Sequence, residues 1–337
     1  MPNNAFKVSI TSLLMGIIRR LRVLLVSRNL FRNWLSAGIK YYLTKVGLLR
    51  LVNIEVTCGD GSKGLIPVRA YGVLVNDYYD GYATNYDCKD GIATYVNDVH
   101  VSVKEIREGS DVRLAIRSGW VYDFTNGFWF KNGIRFRHMY WLILTVFDNN
   151  DYEPLNVGGK TVVDVGAYVG DSAIYFALKG AGRVIAIEPH PGAYTEMLDN
   201  IKLNNLEGVI VPVNAGLASR PGKICIENNV NTSNTGVIYH RPGDCPITVP
   251  AVTLGELIGR FSINVDDAVL KMDCEGCEYD VILNDYEHVR LFRELILEYH
   301  SYAVNKSADD LLMTLNRDYK CEMKGDNNQG IIHCIRK

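Results

Sequence analysis

The stretch Val163-Asp164-Val165-Gly166-Ala167-Tyr168-Val169-Gly170-Asp171 sets two glycines four residues apart directly behind an apolar run. Gly166 and Gly170 let the backbone turn sharply and approach a ligand closely, and a helix starting just after them offers unpaired N–H groups. Asp171 closes the turn and is a further candidate cofactor contact. Roughly twenty residues further on, a second apolar run ends in Glu188, whose carboxylate can accept hydrogen bonds from both hydroxyls of a ribose. Together these features imply a nucleoside whose ribose carries no phosphate. A dinucleotide fingerprint needs a further glycine two positions after the first, to make room for a pyrophosphate. Tyr168 stands there instead. Asp164, two residues before Gly166, suits the ammonium or sulfonium of S-adenosylmethionine and would repel a pyrophosphate. The residues therefore favour S-adenosylmethionine over a nicotinamide cofactor.

A second group of reactive side chains lies about a hundred residues later: Asp273 and Glu275 in Asp273-Cys274-Glu275-Gly276, then Glu298 and His300. Methyl transfer is an in-line displacement that depends mostly on alignment. A neutral hydroxyl is a poor nucleophile, so a positioned base adds roughly 10²–10⁴-fold. Asp273, Glu275 and His300 are the candidates; His300 is the easier base because imidazole titrates near neutrality. The bland alternative is that an acid there only caps the next helix. Asn214 is placed to hydrogen-bond an adenine, or to serve as an ordinary turn residue. His190 shapes the loop beside the adenine. Cys274 and Cys277 form a C-x-x-C, but zinc would need two more ligands and no second paired motif exists. No metal is assigned, since spacing alone does not support a divalent ion on Asp273 and Glu275.

These residues need a scaffold that ends strands side by side. From Lys160 onward, short apolar strands (TVVDV, RVIAI, 209–214, 268–272, 294–299) alternate with helices at 172–178 and 194–204. Strands this apolar belong to a parallel sheet covered on both faces. Segments 316–324 and 330–336 read as a terminal antiparallel pair. The fold class is α/β: a Rossmann-like doubly wound sheet of class I methyltransferase type with an antiparallel C-terminal strand. In such sheets ligands sit outside the carboxyl ends of the strands, where Asp273 and His300 fall.

At this point the chain resembles the FkbM family of methyltransferases, in an archaeal-looking form. The resemblance lies in VVDVGAYVGDSAIYFALKGAGRVIAIEPHPGAYTEMLDNIKLN, VLKMDCEGCEYDVI and LILEYH, and runs from about Lys160 to the C-terminus. It implies S-adenosylmethionine contacts at Asp164, Gly166, Gly170 and Glu188, and a role for Asp273, Glu275 and Gly276. It also implies O-methylation of a sugar, glycan or other hydroxylated small molecule.

Three regions follow: a basic amphipathic helical segment (1–50), a β-rich N-terminal domain (51–150) and the methyltransferase domain (151–337). Residues 1–54 hold nine Lys or Arg and no acid, although the whole chain has a formal net charge of -2. Leu13, Leu14, Ile17, Ile18, Leu21, Leu24 and Leu25 recur at helical spacing, which fits a helix packed on a neighbour or lying on an anionic membrane surface. In 51–150, β-branched and aromatic runs at 68–75, 94–103 and 112–116 read as strands, and 138–147 as a buried helix. Trp120, Tyr122, Phe124, Phe128, Trp129 and Phe130 form either a core or a sugar platform. The loop 228–246 is expected to contribute to acceptor choice. Eight cysteines in 337 residues, 47% of them apolar, do not suggest a disulfide scaffold. No signal peptide or membrane span is evident. The default setting is cytoplasmic, with membrane attachment through residues 1–50 as the alternative. Gln329 is the only glutamine, a hint of a thermophilic source that the many asparagines offset. The rival functions are an RNA methyltransferase, disfavoured by the acidic block at 273–275, and a noncatalytic glycan-binding module on the same fold.

Overall fold

The computed structural model describes residues 10–106, 111–226, 245, 247–304 and 306–337. The loop 228–246 lies almost entirely outside them. The chain folds as two compact units, Met1–Gly133 and Ile134–Lys337. Among the described residues no helix is long and apolar enough to cross a membrane.

The second unit is organised by one seven-stranded sheet. Its spatial order is Ile210–Val213, Arg183–Ile187, Thr161–Val165, Ala268–Met272, Glu294–His300, Gln329–Arg336, Tyr319–Gly325. The first five strands are parallel; the last two join antiparallel. Thr161–Val165 and Ala268–Met272 are neighbours although about a hundred residues apart, so the strand order reverses between them. At that reversal the connecting helices leave to opposite sides and a crevice opens at the strand ends. The strands are apolar throughout because helices cover both faces: Val163, Ile185, Leu270, Ile296 and Leu297 are all buried. Helix Trp141–Phe147, which the sequence placed ahead of the sheet, packs within this unit against helix Asp171–Leu178. A small three-stranded sheet of Gly216–Leu217, Gly222–Ile226 and Ile247–Val252 has no counterpart in the sequence reading.

The first unit is more helical than its composition suggests. Helices Ile10–Val26 and Trp34–Lys45 precede a hairpin, Asn53–Thr57 with Lys63–Pro67. Segment 68–75, expected as a strand, is part of helix Val68–Tyr79, and 112–116 lies in helix Val112–Arg117. The helical period overrides the β-branched composition: Ala70, Tyr71, Leu74 and Val75, then Val112, Ala115 and Ile116, are the buried positions. Segment 94–103 divides into strands Ile92–Tyr95 and Val99–Ser102, part of a three-stranded antiparallel sheet with Ala83–Asp87. Trp120 and Trp129 are fully buried, so the aromatic group is built around a core.

All eight cysteines are paired, against the thiol reading: Cys58–Cys88, Cys225–Cys245, Cys274–Cys277 and Cys321–Cys334. The count alone hid this because the pairs are set by strand neighbours, as Cys321 and Cys334 show by facing each other across one antiparallel ladder. Such bridges persist in oxidising compartments and inside the cells of hyperthermophiles. Thiol titration of the denatured, unreduced protein is expected to find no free cysteine. Reduction is expected to cost about 2–4 kcal/mol for each of the longer loops, read as a lower unfolding midpoint. A reactive thiol in the unreduced protein would contradict the pairing.

Candidate active site

The glycine turn sits where the sheet order reverses. Gly166 and Ala167 both donate backbone N–H to the Ile187 carbonyl, and the Asp273 N–H donates to the Val165 carbonyl at 3.0 Å. Three strand ends are thereby tied together. Gly166 (φ +74°) could carry no side chain, since a Cβ would fall 1.6 Å from the Asp273 carbonyl oxygen. Gly170 (φ +88°) is the left-handed residue that starts helix Asp171–Leu178. Tyr168, in the position a dinucleotide site needs as glycine, is also left-handed (φ 46°) and nearly buried.

Glu188 ends the second strand with its carboxylate held at both oxygens. Oε2 accepts from the Tyr168 N–H at 2.9 Å and Oε1 from the His190 N–H at 2.7 Å. Each oxygen keeps a second lone-pair direction, the requirement for accepting two ribose hydroxyls. Burial pushes this carboxyl up to about 8, partly offset by the two backbone bonds. Asn214 donates its amide to the Glu188 and Pro189 carbonyls, which leaves its Oδ1 as an acceptor for an adenine amine. The His190 ring accepts from the Ala193 N–H and so caps helix Pro191–Leu203. Asp171 is buried beside these groups and raised to about 7 by that burial.

Asp164 is placed differently from the expectation. It has no exposed surface, its Oδ2 accepts from Ser172 Oγ at 2.7 Å, and its Oδ1 lies 3.1 Å from Lys271 Nζ. An acid so enclosed holds the turn from behind and does not reach a ligand directly. Lys271, which the sequence reading passed over, is the link: its Nζ also donates to the carbonyls of Gly166 (2.8 Å) and Val165 (3.3 Å). A signal existed. Lys271 and Asp164 are the only charges in two otherwise apolar neighbouring strands, and the register pairs them directly.

The ends of strands Ala268–Met272 and Glu294–His300 gather Asp273, Glu275, Glu298 and His300. Glu275 adopts a left-handed backbone (φ 55°) followed by Gly276 (φ +116°), and the Cys274–Cys277 bridge closes this tight loop. The C-x-x-C therefore clamps the loop. Tyr152 donates to Asp273 Oδ2 at 3.0 Å and Tyr302 to Glu275 Oε2 at 2.7 Å. Glu278, also passed over in the sequence, is fully buried; its Oε1 accepts from the His300 N–H and lies 3.2 Å from His300 Nδ1. Burial pulls the His300 pKa down, but the Glu278 bond and the Asp273 and Glu275 charges outweigh it and lift the ring to about 9. A ring raised that far takes up a proton, or any other partner at Nε2, only once it has been deprotonated. Burial and Asp273 push Glu298 up to about 8.

A reversed parallel sheet with a glycine turn and a carboxylate at the switch point is the architecture of a Rossmann-like, class I methyltransferase fold. Residues 164–321, slightly under half of the chain, match the methyltransferase FkbM domain, so that stretch is similar to a family of methyltransferases that use S-adenosylmethionine. Solved structures with a similar fold include a methyltransferase FkbM from Methylobacillus flagellatus KT. That alignment has 16% identity, covers 57% of this chain and 47% of that one, and gives a TM-score of 0.40. It thus spans about half the length of that protein. Another is a putative rRNA methylase from Clostridium thermocellum (9% identity, 57% and 95% covered, TM-score 0.37). A third is M. capricolum TrmK in complex with S-adenosyl-homocysteine (14% identity, 57% and 68% covered, TM-score 0.34). No curated protein matches the chain.

Proposed function

We propose that this protein moves the methyl group of S-adenosylmethionine to a hydroxyl of a sugar, glycan or other small molecule. The observation that carries this reading is the grouping of Asp273, Glu275, Glu298 and His300 at the strand ends beside the Gly166 turn. Glu188 and Asn214 hold ribose and adenine; Gly166, Gly170 and Asp171 shape the turn at the methionine end. S-adenosylmethionine supplies an electrophilic methyl on a sulfonium. The chain's part is to align the hydroxyl with that methyl, exclude water, and take up the hydroxyl proton on a carboxylate of the cluster as the O–C bond forms and the C–S bond breaks. Nucleic acid fits less well, because a group of three carboxylates repels a phosphate backbone. A screen of hydroxylated acceptors for S-adenosylhomocysteine release tests the reading. Asp273→Asn is expected to lower kcat by roughly 10²-fold or more with cofactor affinity kept. Release on RNA alone would move the assignment to nucleic acid, and cofactor binding without release on any acceptor would favour a noncatalytic module.

Cofactor affinity carries its own pH prediction. Glu188 accepts best as an anion, so affinity is expected to rise with pH through about 8. Its folded pKa lies above the unfolded value, so the proton it retains stabilises the free protein at low pH. That contribution is lost as pH rises from the ordinary carboxylate range through about 8. Calorimetry between pH 6.5 and 9 should show up to roughly tenfold tighter binding per pH unit below that point. Glu188→Gln should flatten the curve; an equally steep curve in that variant would sink the assignment.

The N-terminal unit suggests where the acceptor is met. Ile17, Ile18, Leu21 and Leu25 on helix Ile10–Val26 are 41–54% exposed, with Arg20 and Arg22 also at the surface. An apolar stripe flanked by arginines suits an anionic lipid surface, with one side in the acyl boundary and the cations at the headgroups. A lipid-linked glycan would then be the favoured acceptor. Flotation with anionic vesicles tests this, with loss of flotation expected for Leu21→Glu; protein that stays in the pellet speaks against it.

A further inference from the structure

The acceptor cluster has a geometry that hydrogen bonding leaves unexplained. The His300 side chain is 4% exposed, and its Nδ1 is committed to Glu278. Its Nε2 has no hydrogen-bond partner, yet three carboxylate oxygens face it at nearly equal range: Glu298 Oε1 at 3.8 Å, Asp273 Oδ1 at 3.9 Å and Glu275 Oε1 at 3.9 Å. These separations are too long for hydrogen bonds. They are ordinary for ligand atoms that share one ion. With metal–ligand bonds of about 2.1 Å, two ligands of one ion lie about 3 to 4.2 Å apart, according to the angle between them. The ligand atoms of Asp273, Glu298 and His300 all fall within 4.8 Å of one another.

The surroundings fit the same interpretation. Metal-ligating histidines characteristically commit the second ring nitrogen to a carboxylate, and ligating carboxylates are themselves hydrogen-bonded. Glu278 takes His300 Nδ1, and Glu278 is fixed in turn by the backbone N–H groups of His300 (2.9 Å) and Gly276 (3.0 Å). Tyr152 takes Asp273 Oδ2 and leaves Oδ1 toward the shared centre; Tyr302 does the same for Glu275 with Oε2 and Oε1. Each of these three groups uses one atom for support and turns another inward.

We propose that Asp273, Glu298 and His300 bind one divalent first-row transition ion, with Glu275 beside it. An imidazole among carboxylates suits Mn²⁺ better than Mg²⁺ or Ca²⁺, which prefer an all-oxygen set. Its catalytic use rests on the methyl-transfer reading above; its binding does not. A hydroxyl ligated to the ion is acidified and releases its proton to Glu275. The resulting alkoxide oxygen attacks the methyl carbon while the C–S pair returns to sulfur.

The test is an electron-paramagnetic-resonance titration of Mn²⁺ into the chelator-treated full-length protein, with S-adenosylmethionine binding followed in the same samples. One Mn²⁺ per chain is expected, with a nitrogen coupling from histidine that disappears in His300→Ala. Affinity should fall at least tenfold in Asp273→Asn and Glu298→Gln, and roughly 10–100-fold in the positioning variant Glu278→Gln. Mn²⁺ that stays free in millimolar excess while cofactor binding is intact overturns the metal site alone. So does binding that ignores both His300→Ala and Glu298→Gln. Tight Mn²⁺ binding without any methyl transfer keeps the site and overturns the reading of its use.

Discussion

Lys271→Met is expected to lower the melting midpoint by roughly 10 °C and to abolish methyl transfer. Lys271 is 1% exposed, and its charge is balanced inside the sheet by Asp164, which has no exposure. Removing one partner of a buried pair leaves the other charge without compensation, at a cost of about 3–5 kcal/mol. The same Nζ holds the Val165 and Gly166 carbonyls, so the Gly166 turn loosens as well. A second substitution separates the two effects. In Asp164→Asn/Lys271→Met no charge remains buried, so most of the stability should return, because a buried ion pair replaced as a whole is often close to neutral. Activity should stay lost, since the Lys271 bonds to the Val165 and Gly166 carbonyls are still missing. Thermal melts of the three proteins check this; a single variant that melts with the wild type, or a double variant no better than the single, would refute the role given to the pair.

Gly166→Ala carries the second large effect. A Cβ at this position would overlap the Asp273 carbonyl oxygen, and the residue is left-handed as well. The dihedral alone costs about 1–2 kcal/mol. The overlap must push strands Thr161–Val165 and Ala268–Met272 apart at their ends, where Glu188, Asp273 and Lys271 converge. Gly159 is the matched control, because it is also left-handed (φ +71°) but has nothing within 4 Å of a built Cβ. Gly159→Ala should therefore show the dihedral cost and normal cofactor binding. Gly166→Ala should be destabilised by roughly twice as much or more and bind S-adenosylmethionine at least about 100-fold more weakly, which is close to 3 kcal/mol. Equal behaviour of the two variants in calorimetry and melting would show that the close strand contact does not matter.

What could be foreseen from the sequence follows from how locally each feature is encoded. The strand, the glycine turn and Glu188 lie within one continuous stretch, so their types and spacing can be read together. The doubly wound sheet with its antiparallel end followed because near-continuous apolar strands alternating with helices leave few arrangements. The meeting of Asp273, Glu275 and His300 was foreseen because all three follow strand ends. Their chemistry was not, since the character of His300 depends on Glu278 and three carboxylates brought in from two strand ends and a loop. Lys271 went unnoticed because its partner lies about a hundred residues away, although a lone lysine in a doubly covered strand demands one. Helices Val68–Tyr79 and Val112–Arg117 were misread as strands because aromatic and β-branched content was weighed above the helical spacing of the same residues.

The four disulfides share a property that bears on how the molecule is made. Each cysteine is joined to the very next one along the chain, so no bridge encloses or crosses another. Of the on the order of 100 pairings that eight cysteines allow, this is the one a chain reaches by oxidising each new thiol with its predecessor as synthesis proceeds. No thiol has to wait for a distant partner, and no early bridge has to be broken to form a later one. Oxidative maturation should therefore run from the N-terminus onward without a reshuffling catalyst.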